Sequence, residues 1–459
     1  MTELLQNILK FADEYEMLPE TGLVLVCVSG GADSMCLLEA MLHISYERGF
    51  AVAVAHYNHG LRGDESDRDE AFVRDYCEAC GAPFYCGDGD VREHAQSSGQ
   101  SIELAAREMR YRFFCDMAQT LGAGRVATAH TADDNAETMV LNLARGAGAN
   151  GLSGIPPVRE IAPECGYIIR PLLRATREEV MRFVGERGIP FVEDSTNSLD
   201  IYTRNKIRHS VMPILREINP KLNENATAAA ELLRADEDFI SDIADLFITD
   251  CCAGLTADAG DVRQLPFAVS SRVIRKLYGG SLAYKHVRAV LDLCGHDSPS
   301  ASLSLPGMTV HREYDRIVFA PKRDAEEDGF AQVFPADGDS VIILGAGLKM
   351  SCKSVICSDK ICKVNKSFTS FLFKSIDICG KIAVRPRREG DSIRLFGNSV
   401  TKTLKKLFIE RRVPARQRPY IPVIADDAGV LAVYSLGVGD RAAPVPGDAA
   451  LYIEFEVIV

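Results

Sequence analysis

Short apolar runs alternate with longer amphipathic stretches along residues 1–215. The runs have the length of buried parallel strands, and the longer stretches carry apolar residues at helical spacing. This alternation predicts a Rossmann-like α/β domain, a doubly wound parallel sheet that binds ligands beyond the carboxyl ends of its strands. The predicted strands are Leu23–Val28, Ala51–Tyr57, Phe84–Cys86, Arg125–Ala129 and Tyr167–Arg170. The predicted helices are Ser34–Arg48, Asp64–Cys80, Ile102–Leu121, Asp133–Arg145 and Thr176–Arg187.

Three further segments follow this α/β domain. Residues 216–325 have helical spacing, with a long alanine- and acid-rich stretch at Asn219–Leu246, and predict a mainly helical linker and substrate-binding domain. Residues 326–380 form a connecting segment that contains turn-forming proline and glycine. Residues 381–459 mix strand and helix patterns and predict a small α+β domain.

The apolar runs and the cysteines limit the classes of protein to which the chain can belong. The longest apolar runs are strand-sized, so no membrane span is predicted. Met1–Glu16 carries four acidic residues, which predicts an amphipathic helix rather than a signal peptide and favours the cytoplasm. Among fourteen cysteines, Cys77 and Cys80 form the one C-x-x-C pair. A structural zinc needs a second pair or histidines, so we expect free thiols, and a cytoplasmic location disfavours disulfides.

Charge is distributed unevenly along the chain. The net charge of −12 argues, taken as a whole, against a nucleic-acid partner. However, Lys381–Arg418 holds twelve basic and three acidic residues. A concentrated basic segment on an acidic chain is typical of a module that docks on phosphate, although a solvated charged face is the alternative. The densest charges, and the predicted contacts, are Arg387, Arg388, Lys405, Lys406, Arg411 and Arg412.

A glycine-rich turn, Ser29-Gly30-Gly31-Ala32-Asp33-Ser34, joins the first predicted strand of the sheet to the helix that follows it. In this geometry, backbone N–H groups and a helix N-terminus hold phosphate. The glycines allow close backbone approach, and the serines add hydroxyl donors. Asp33 supplies a carboxylate for a Mg²⁺–phosphate complex. The chain lacks G-x-x-x-x-G-K-[ST], so this turn is not a Walker loop.

Acidic residues and a histidine follow the fourth predicted strand. His130 ends the strand, and Asp133, Asp134 and Glu137 take neighbouring positions at the start of the next helix. Acids at a helix start can act merely as caps. A cluster of three with a histidine also suits Mg²⁺ or an amine, and could take a proton from a nucleophile.

Basic positions accompany this cluster. His56 closes the second predicted strand, near the expected crevice. Arg107 and Arg110 lie one helical turn apart, where both can aim at one anion or form ordinary ion pairs. Arg204 and Arg208 belong to a basic helix start.

The motifs of the first 215 residues occur in a characteristic order: S-G-G-x-D-S, H-x-N-H-G-L-R, A-R-x-x-R-Y-x-F, H-x-x-D-D-x-x-E-T, R-G-x-G-x-x-G-L-S-G, R-P-L-L, D-x-T-N and Y-x-R-N-x-I-R. The first resembles the pyrophosphate loop (PP-loop) of N-type ATP pyrophosphatases, and the set resembles the bacterial tRNA(Ile)-lysidine synthetase family. The resemblance returns at residues 384–391 and 405–408, which look like that family's C-terminal tRNA-binding module. Thr131 stands where the family often has a second histidine.

The resemblance implies a ligase that forms a carbon–nitrogen bond with ATP and Mg²⁺ as cofactors. ATP would adenylate the carbon 2 oxygen of the wobble cytidine in the CAU anticodon of tRNA(Ile), and the ε-amine of free L-lysine would then displace AMP. It implies ATP contacts at residues 29–34 and His56, and lysine contacts at Asp133, Asp134 and Glu137. The implied catalytic set is Asp33, His130, Glu137, Arg107 and Arg110, with the two arginines on either the lysine carboxylate or phosphate. Arg204 and Arg208 would join the C-terminal charges in binding tRNA.

Two other functions stay open at this point. A PP-loop tRNA thiolase shares the adenylation step but needs catalytic cysteines or an iron–sulfur cluster, for which Cys77, Cys80 and Cys86 are the candidates. A non-catalytic, nucleotide-gated RNA-binding module would not need grouped acids at the nucleotide site. The sequence is compatible with a monomer or a homodimer.

Overall fold

The computed structural model describes residues 2–61, 63–193, 203–322, 332–334, 340–344, 348–358 and 368–457. Of the motifs above, D-x-T-N at residues 194–197, Arg62 and Tyr202 lie outside these residues. The chain divides into two compact units, Met1–Phe239 and Ile240–Val459.

A six-stranded sheet forms the centre of the first unit. Its order is β3-β2-β1-β4-β6-β5, with five parallel strands and β5 antiparallel to β6 at one edge. The strands are β1 (Leu23–Cys27), β2 (Ala51–Asn58), β3 (Phe84–Asp88), β4 (Arg125–Ala127), β5 (Val158–Ala162) and β6 (Gly166–Ile169). The edge strand β5 is an addition to the prediction, because its exposed side chains break the apolar pattern of the other strands.

Helices cover both faces of this sheet. Along β1, Val24 and Val26 pack in the cluster that includes α2, whereas Leu25 and Cys27 pack with Phe114 on α5. Burial on both faces explains why the strand is a continuous apolar run. The helices are α1 (Glu3–Glu14), α2 (Ala32–Arg48), α3 (Asp64–Cys80), α4 (Val91–Ser98), α5 (Ile102–Leu121), α6 (Ala132–Ala144), α7 (Ala149–Leu152) and α8 (Arg177–Arg187).

A helical segment after the sheet packs against α6. It comprises α9 (Thr203–Lys206), a π-helical turn (Ile207–Val211) and α10 (Met212–Ile218), and the long helix α11 (Leu222–Cys251) follows. Ile207 and Met212 are buried against Ala136 of α6. This packing brings the basic residues of the segment to the acidic start of α6.

The second unit begins with helices packed on an antiparallel sheet of order β7-β8-β11-β10-β9. The strands are β7 (Cys252–Ala253), β8 (Thr256–Asp258), β9 (Ser300–Leu305), β10 (Met308–Glu313) and β11 (Arg316–Pro321). The helices are α12 (Ala259–Gln264), α13 (Phe267–Tyr278) and α14 (Tyr284–Cys294). Together with the second half of α11 they form a mainly helical middle region, as predicted.

The C-terminal part is rich in strands. One sheet has the order β12-β16-β19-β20-β21, another β13-β14-β22-β15, and β17 pairs with β18 in a hairpin. The elements are β12 (Gln332–Phe334), β13 (Ser340–Leu344), β14 (Leu348–Ile356), β15 (Ser370–Lys374), β16 (Ile382–Arg385), β17 (Ser392–Arg394), β18 (Thr401–Thr403), α15 (Leu404–Glu410), β19 (Val423–Asp426), β20 (Gly429–Val433), β21 (Gly437–Val438) and β22 (Ala449–Val457). The predicted fold class is therefore confirmed.

Two further observations bear on the sequence-based expectations. The structure joins Cys115 of α5 to Cys165 beside β6 in a disulfide, with the Cα atoms 5.1 Å apart. This differs from the expectation of free thiols, because the fold brings together two cysteines that are 50 residues apart in sequence. Among the described residues, no helix is both long and apolar enough to cross a membrane.

Candidate active site

A cleft of about 1100 Å³ lies at the carboxyl ends of β1, β2 and β4, in the first unit. Three strand ends therefore contribute to one crevice, as a doubly wound sheet requires. Most of the predicted site residues of this unit line the cleft, whereas Gly30 and Arg107 do not. Those that do are Ser29, Gly31, Ala32, Asp33, Ser34, His56, Arg110, His130, Asp133, Asp134, Glu137, Arg204 and Arg208.

The glycine turn is held by its own serines. The Ser29 N–H donates to Ser34 Oγ at 3.2 Å, and Ser34 Oγ donates to the Gly31 carbonyl at 2.9 Å. Gly30 has a φ of +91°, a conformation that side chains rarely adopt. Gly31 then caps α2, so the turn leads directly into a helix N-terminus. This is the geometry that binds phosphate through backbone N–H groups.

Asp33 lies in the first turn of α2 and forms an ion pair with Arg177 of α8. Its Oδ1 is buried and has no hydrogen-bond partner among the described residues. Burial raises the pKa of this carboxyl, and the Arg177 guanidinium opposes that rise. A buried carboxylate oxygen without a donor fits a ligand position for a hard cation.

Two carboxylates of α6 are bound by two arginines. Arg208 donates to Glu137 at 2.7 and 2.9 Å, and Arg204 Nε donates to the same carboxylate at 3.2 Å. Both arginines also donate to Asp134 Oδ1, at 3.0 and 3.1 Å. Glu137 is 2% exposed. The pairing fixes the cluster and neutralises its charge, a feature that motif spacing did not indicate.

Arg204 and Arg208, predicted to bind tRNA, therefore have their guanidinium groups on the acid cluster. Each side chain is about one third exposed, at 34% and 38%. Neighbouring carboxylates raise the pKa of Arg208, with the Glu137 hydrogen bond as the largest cause. A tRNA contact by these arginines stays a prediction.

Asp133 connects α6 to other elements. Its Oδ2 accepts from the Arg177 backbone N–H at 2.7 Å, and its Oδ1 accepts from Arg216 at 2.7 Å. Arg177 and Arg216 also line the cleft. Neither arginine was predicted as a site residue, because neither belongs to a spaced motif. Of these two arginines, Arg177 alone lies near a motif. It begins α8 after the Thr176 cap, just downstream of the R-P-L-L motif.

The sequence departs from the family pattern at Thr131, and at Ser195, where the family often has proline and which lies outside the described residues. Thr131 has a structural role. Its hydroxyl accepts from the Asp134 N–H at 3.4 Å, and Asp134 Oδ2 accepts from the Thr131 N–H at 3.0 Å. This reciprocal capping box begins α6. Asp134 is thus both a helix cap and a partner of the two arginines.

The two histidines predicted for the site, His56 and His130, have lowered pKa values. His56 donates from Nδ1 to the Val28 carbonyl at 2.8 Å, which leaves Nε2 as an acceptor, and burial lowers its pKa. His130 lies 3.1 Å from the Thr128 hydroxyl. Burial, assisted by Arg170, lowers the pKa of His130 to about 3. Each imidazole is therefore neutral at pH 7.

Arginines surround Tyr111 on one side of the cleft. The Arg107, Arg159 and Arg110 guanidinium carbons lie 4.7, 5.5 and 6.0 Å from its ring centroid. Burial lowers the pKa of Arg170, a further neighbour, to about 10. No carboxylate of the described residues forms an ion pair with these four arginines, of which Arg110 lines the cleft together with Tyr111.

The described part of the chain offers little support for metal–sulfur chemistry. Cys27 is the one cysteine among the described residues that line the cleft, and burial raises the pKa of its thiol. A protonated, buried thiol is a poor nucleophile and metal ligand. No group of three His, Cys, Asp or Glu side chains that could hold a metal occurs among the described residues.

The C-terminal basic segment has a different character from the cleft. Five of its six predicted contact residues are exposed and have no ion pair with a described carboxylate, namely Arg387, Arg388, Lys405, Lys406 and Arg411. Arg412 instead pairs with Asp315 at 3.0 Å. Arg385 is buried against Asp391 at 2.7 Å and is a structural pair.

Comparisons with known proteins identify both ends of the chain. Residues 2–215 match the PP-loop domain family, and residues 382–455 match the family described as TilS substrate C-terminal domain. A U34-tRNA thiolase from Methanococcus maripaludis, known from a solved structure, is 16% identical with a TM-score of 0.43, covering 50% of this chain and 79% of that one.

Two curated relatives match along almost the whole chain. The tRNA(Ile)-lysidine synthase of Geobacillus kaustophilus is 32% identical, covering 93% of each chain. That of Caldanaerobacter subterraneus is 30% identical, covering 92% of this chain and 91% of the relative. The chain therefore belongs to the tRNA(Ile)-lysidine synthase family, which confirms the family indicated by its motifs.

Proposed function

We propose that this chain is a ligase that attaches lysine to the wobble cytidine of the tRNA(Ile) with a CAU anticodon. The cytidine carbon 2 oxygen attacks the α-phosphorus of ATP and releases pyrophosphate. The lysine ε-amine then forms a bond to carbon 2, the carbon–oxygen bond breaks, AMP leaves, and the amine loses a proton. The observation that carries the proposal is one cleft that contains both a phosphate-binding turn and a buried carboxylate cluster.

The turn at Ser29–Ser34 supports the pyrophosphate assignment. Its backbone leads into the α2 N-terminus, where the peptide dipoles favour negative charge. The orphaned Oδ1 of Asp33 is the position that fits Mg²⁺, which would neutralise charge on the departing pyrophosphate. Arg177, already paired with Asp33, adds a fixed positive charge beside the turn. His56 offers a neutral Nε2 acceptor, which suits an amino group of the nucleotide base.

The carboxylates of α6 support the lysine assignment. An ammonium group requires acceptors, and Asp134 and Glu137 provide charged oxygens at the cleft wall. Because Arg204 and Arg208 occupy these oxygens, the incoming ammonium must share or replace a guanidinium contact. His130, neutral at pH 7, can accept a hydrogen bond there without adding positive charge that would repel the amine. The unpaired arginines around Tyr111 fit an anion, either phosphate or the lysine carboxylate.

The C-terminal charges support tRNA binding through the phosphate backbone. ATP, lysine and tRNA are available together in the cytoplasm, and we propose that the reaction takes place there. All residues that line the cleft belong to one unit of one chain, so the cleft itself does not call for a second copy. Homodimer formation stays a prediction, which sedimentation of the purified chain would test.

The test is incubation of the purified chain with ATP, tRNA(Ile) and labelled L-lysine. We expect acid-precipitable label on the RNA, with AMP and pyrophosphate formed in equal amounts. A tRNA whose wobble cytidine is replaced by uridine should accept no label. Transfer of sulfur in place of lysine, or nucleotide binding without any covalent product, would contradict the proposal and support one of the two alternatives.

A further inference from the structure

An exposed aromatic side chain lies at the tip of the β17–β18 hairpin. Phe396 is 61% exposed, and Val400 on the same tip is 60% exposed. Within the described residues of the C-terminal substrate domain, 382–455, Phe396 is the one aromatic among the exposed large apolar side chains. Exposing a phenylalanine ring to water is unfavourable, although single exposed apolar side chains are common on protein surfaces, so the surroundings of the ring carry the argument.

The backbone beneath this ring is fixed. The Phe396 N–H donates to the Val438 carbonyl at 2.9 Å, and the Asn398 N–H donates to the Leu395 carbonyl at 2.9 Å. Leu395 forms a bridge with Gly439 and packs on the core cluster around Leu404 and Phe408. The ring is therefore presented to solvent from a backbone that the domain holds in place, rather than from a loose loop.

Two unpaired cations follow the hairpin directly. Arg394 of β17 pairs with Asp440, and Lys402 of β18 pairs with Glu410. The next helix, α15, carries Lys405 and Lys406, which are exposed and have no ion pair with a described carboxylate. An aromatic face beside unpaired cations is the combination that binds nucleic acid in a single-stranded form, since bases stack on the ring while cations contact the phosphates. A protein partner would more often meet an apolar patch with a polar rim.

We propose that Phe396 is a stacking platform for an unpaired base of the bound tRNA. The inference rests on the proposed function for the identity of the RNA. Stacking adds affinity that does not depend on salt, next to the salt-dependent contacts of the lysines. The platform thereby distinguishes an RNA that has an unpaired nucleotide in reach of the hairpin from a fully paired helix.

The experiment measures the affinity of the full chain for tRNA(Ile) by fluorescence anisotropy at several salt concentrations. We expect Phe396→Ala to weaken binding by about 5- to 150-fold, with the slope of affinity against salt unchanged. Phe396→Tyr should keep the wild-type affinity, and Phe396→Leu should lose it, because leucine keeps apolar bulk without an aromatic face. On a blunt RNA duplex, Phe396→Ala should bind like the wild type.

Phe239→Ala is the matched control. Phe239 is 67% exposed and follows three acidic residues, Asp236, Glu237 and Asp238. Because these acids repel RNA, loss of the Phe239 ring should leave the tRNA affinity unchanged. Three results would overturn the inference. They are a folded Phe396→Ala that binds tRNA as tightly as the wild type, a Phe396→Leu that keeps full affinity for tRNA, and a Phe396→Ala that loses as much affinity for the duplex as for tRNA. A change in sedimenting mass for Phe396→Ala would assign the ring to a second copy of the chain instead. Lysine incorporation by the wild-type chain tests the proposed function separately.

Discussion

The cleft and the C-terminal basic segment use the same residue types in opposite ways. In the cleft, Asp134 and Glu137 are bound by Arg204 and Arg208, and Asp33 by Arg177. In the basic segment, five exposed cations have no described carboxylate partner. The carboxylates of the cleft are thus compensated within the chain, whereas the cations of the segment require compensation from outside the chain.

This difference separates two kinds of electrostatics. Charges that are fixed and shielded from water act strongly on a reacting group, and salt screens them little. Exposed cations that face a polyanion act through the release of counterions, so their effect falls steeply with salt. Substitutions in the two regions should therefore differ in size, in substrate and in salt dependence.

The largest effect is expected at Asp33. Asp33→Asn keeps the shape of the side chain but removes the charge of the orphaned oxygen that we assign to the cation. Loss of one such group in a preorganised site typically lowers the rate by about 10²- to 10³-fold. Pyrophosphate release measures the effect, and circular dichroism verifies the fold.

Asp13→Asn is the control for that variant. Asp13 also pairs with an arginine, Arg48 at 2.6 Å, but half exposed and away from the cleft. It should release pyrophosphate at the wild-type rate. Wild-type turnover in Asp33→Asn would remove the pyrophosphate assignment of the turn.

Glu137→Gln should act on the second step. A charged hydrogen bond to lysine is lost, so the KM for lysine should rise by roughly 10- to 100-fold while the KM for ATP stays constant. Adenylated tRNA should accumulate, which gel electrophoresis of labelled RNA would show. Glu14→Gln, which breaks the Glu14–Arg174 pair outside the cleft, should leave both constants unchanged. An effect on ATP alone would make the acidic cluster a metal site.

The sequence predicted which residues meet in the cleft better than it predicted their partners. Asp64–Cys80 and Ile102–Leu121 have the predicted bounds, because Gly81 and Gly122 end these helices in the left-handed conformation. The turn and the acids of α6 follow strands whose apolar runs are unambiguous. Such local signals suffice to place a side chain at a strand end.

Long-range pairing left no comparable signal. Arg204 and Arg208 form a basic helix start, and nothing in their spacing shows that α9 and the π-helical turn dock on α6. That docking depends on Ile207 and Met212 packing on Ala136, a tertiary contact. The edge strand β5 and the Cys115–Cys165 disulfide are similar cases, since both depend on what the fold brings near.

The neutral state of His130 predicts a dependence of stability on pH. The folded chain holds the pKa of His130 at about 3, whereas an unfolded histidine titrates near 6.5. As pH falls below about 6.5, only the unfolded state takes up this proton, so stability decreases by about 1.4 kcal/mol per pH unit. Between pH 6.5 and 5 the loss is about 2 kcal/mol at most.

Thermal unfolding of the wild type and His130→Gln at several pH values measures this contribution. The variant should lose less stability on acidification than the wild type, although His56, whose pKa is also lowered, keeps part of the dependence. Parallel curves for wild type and His130→Gln would show that His130 is not held neutral.

The smallest effect, and the one that most directly contrasts the two regions, is expected at Lys405 and Lys406. The double change to glutamine removes two phosphate contacts and should weaken tRNA binding by roughly tenfold or less at physiological salt. The slope of log affinity against log salt should become shallower by about 1.5, since each contact contributes about 0.7–0.9.

Lys402→Gln is the control, because Lys402 is already bound to Glu410 at 2.6 Å and should contribute little to the slope. The KM values for ATP and lysine should not change, because the cleft is lined by the first unit alone. An unchanged slope in the double variant would make the basic segment a solvated face.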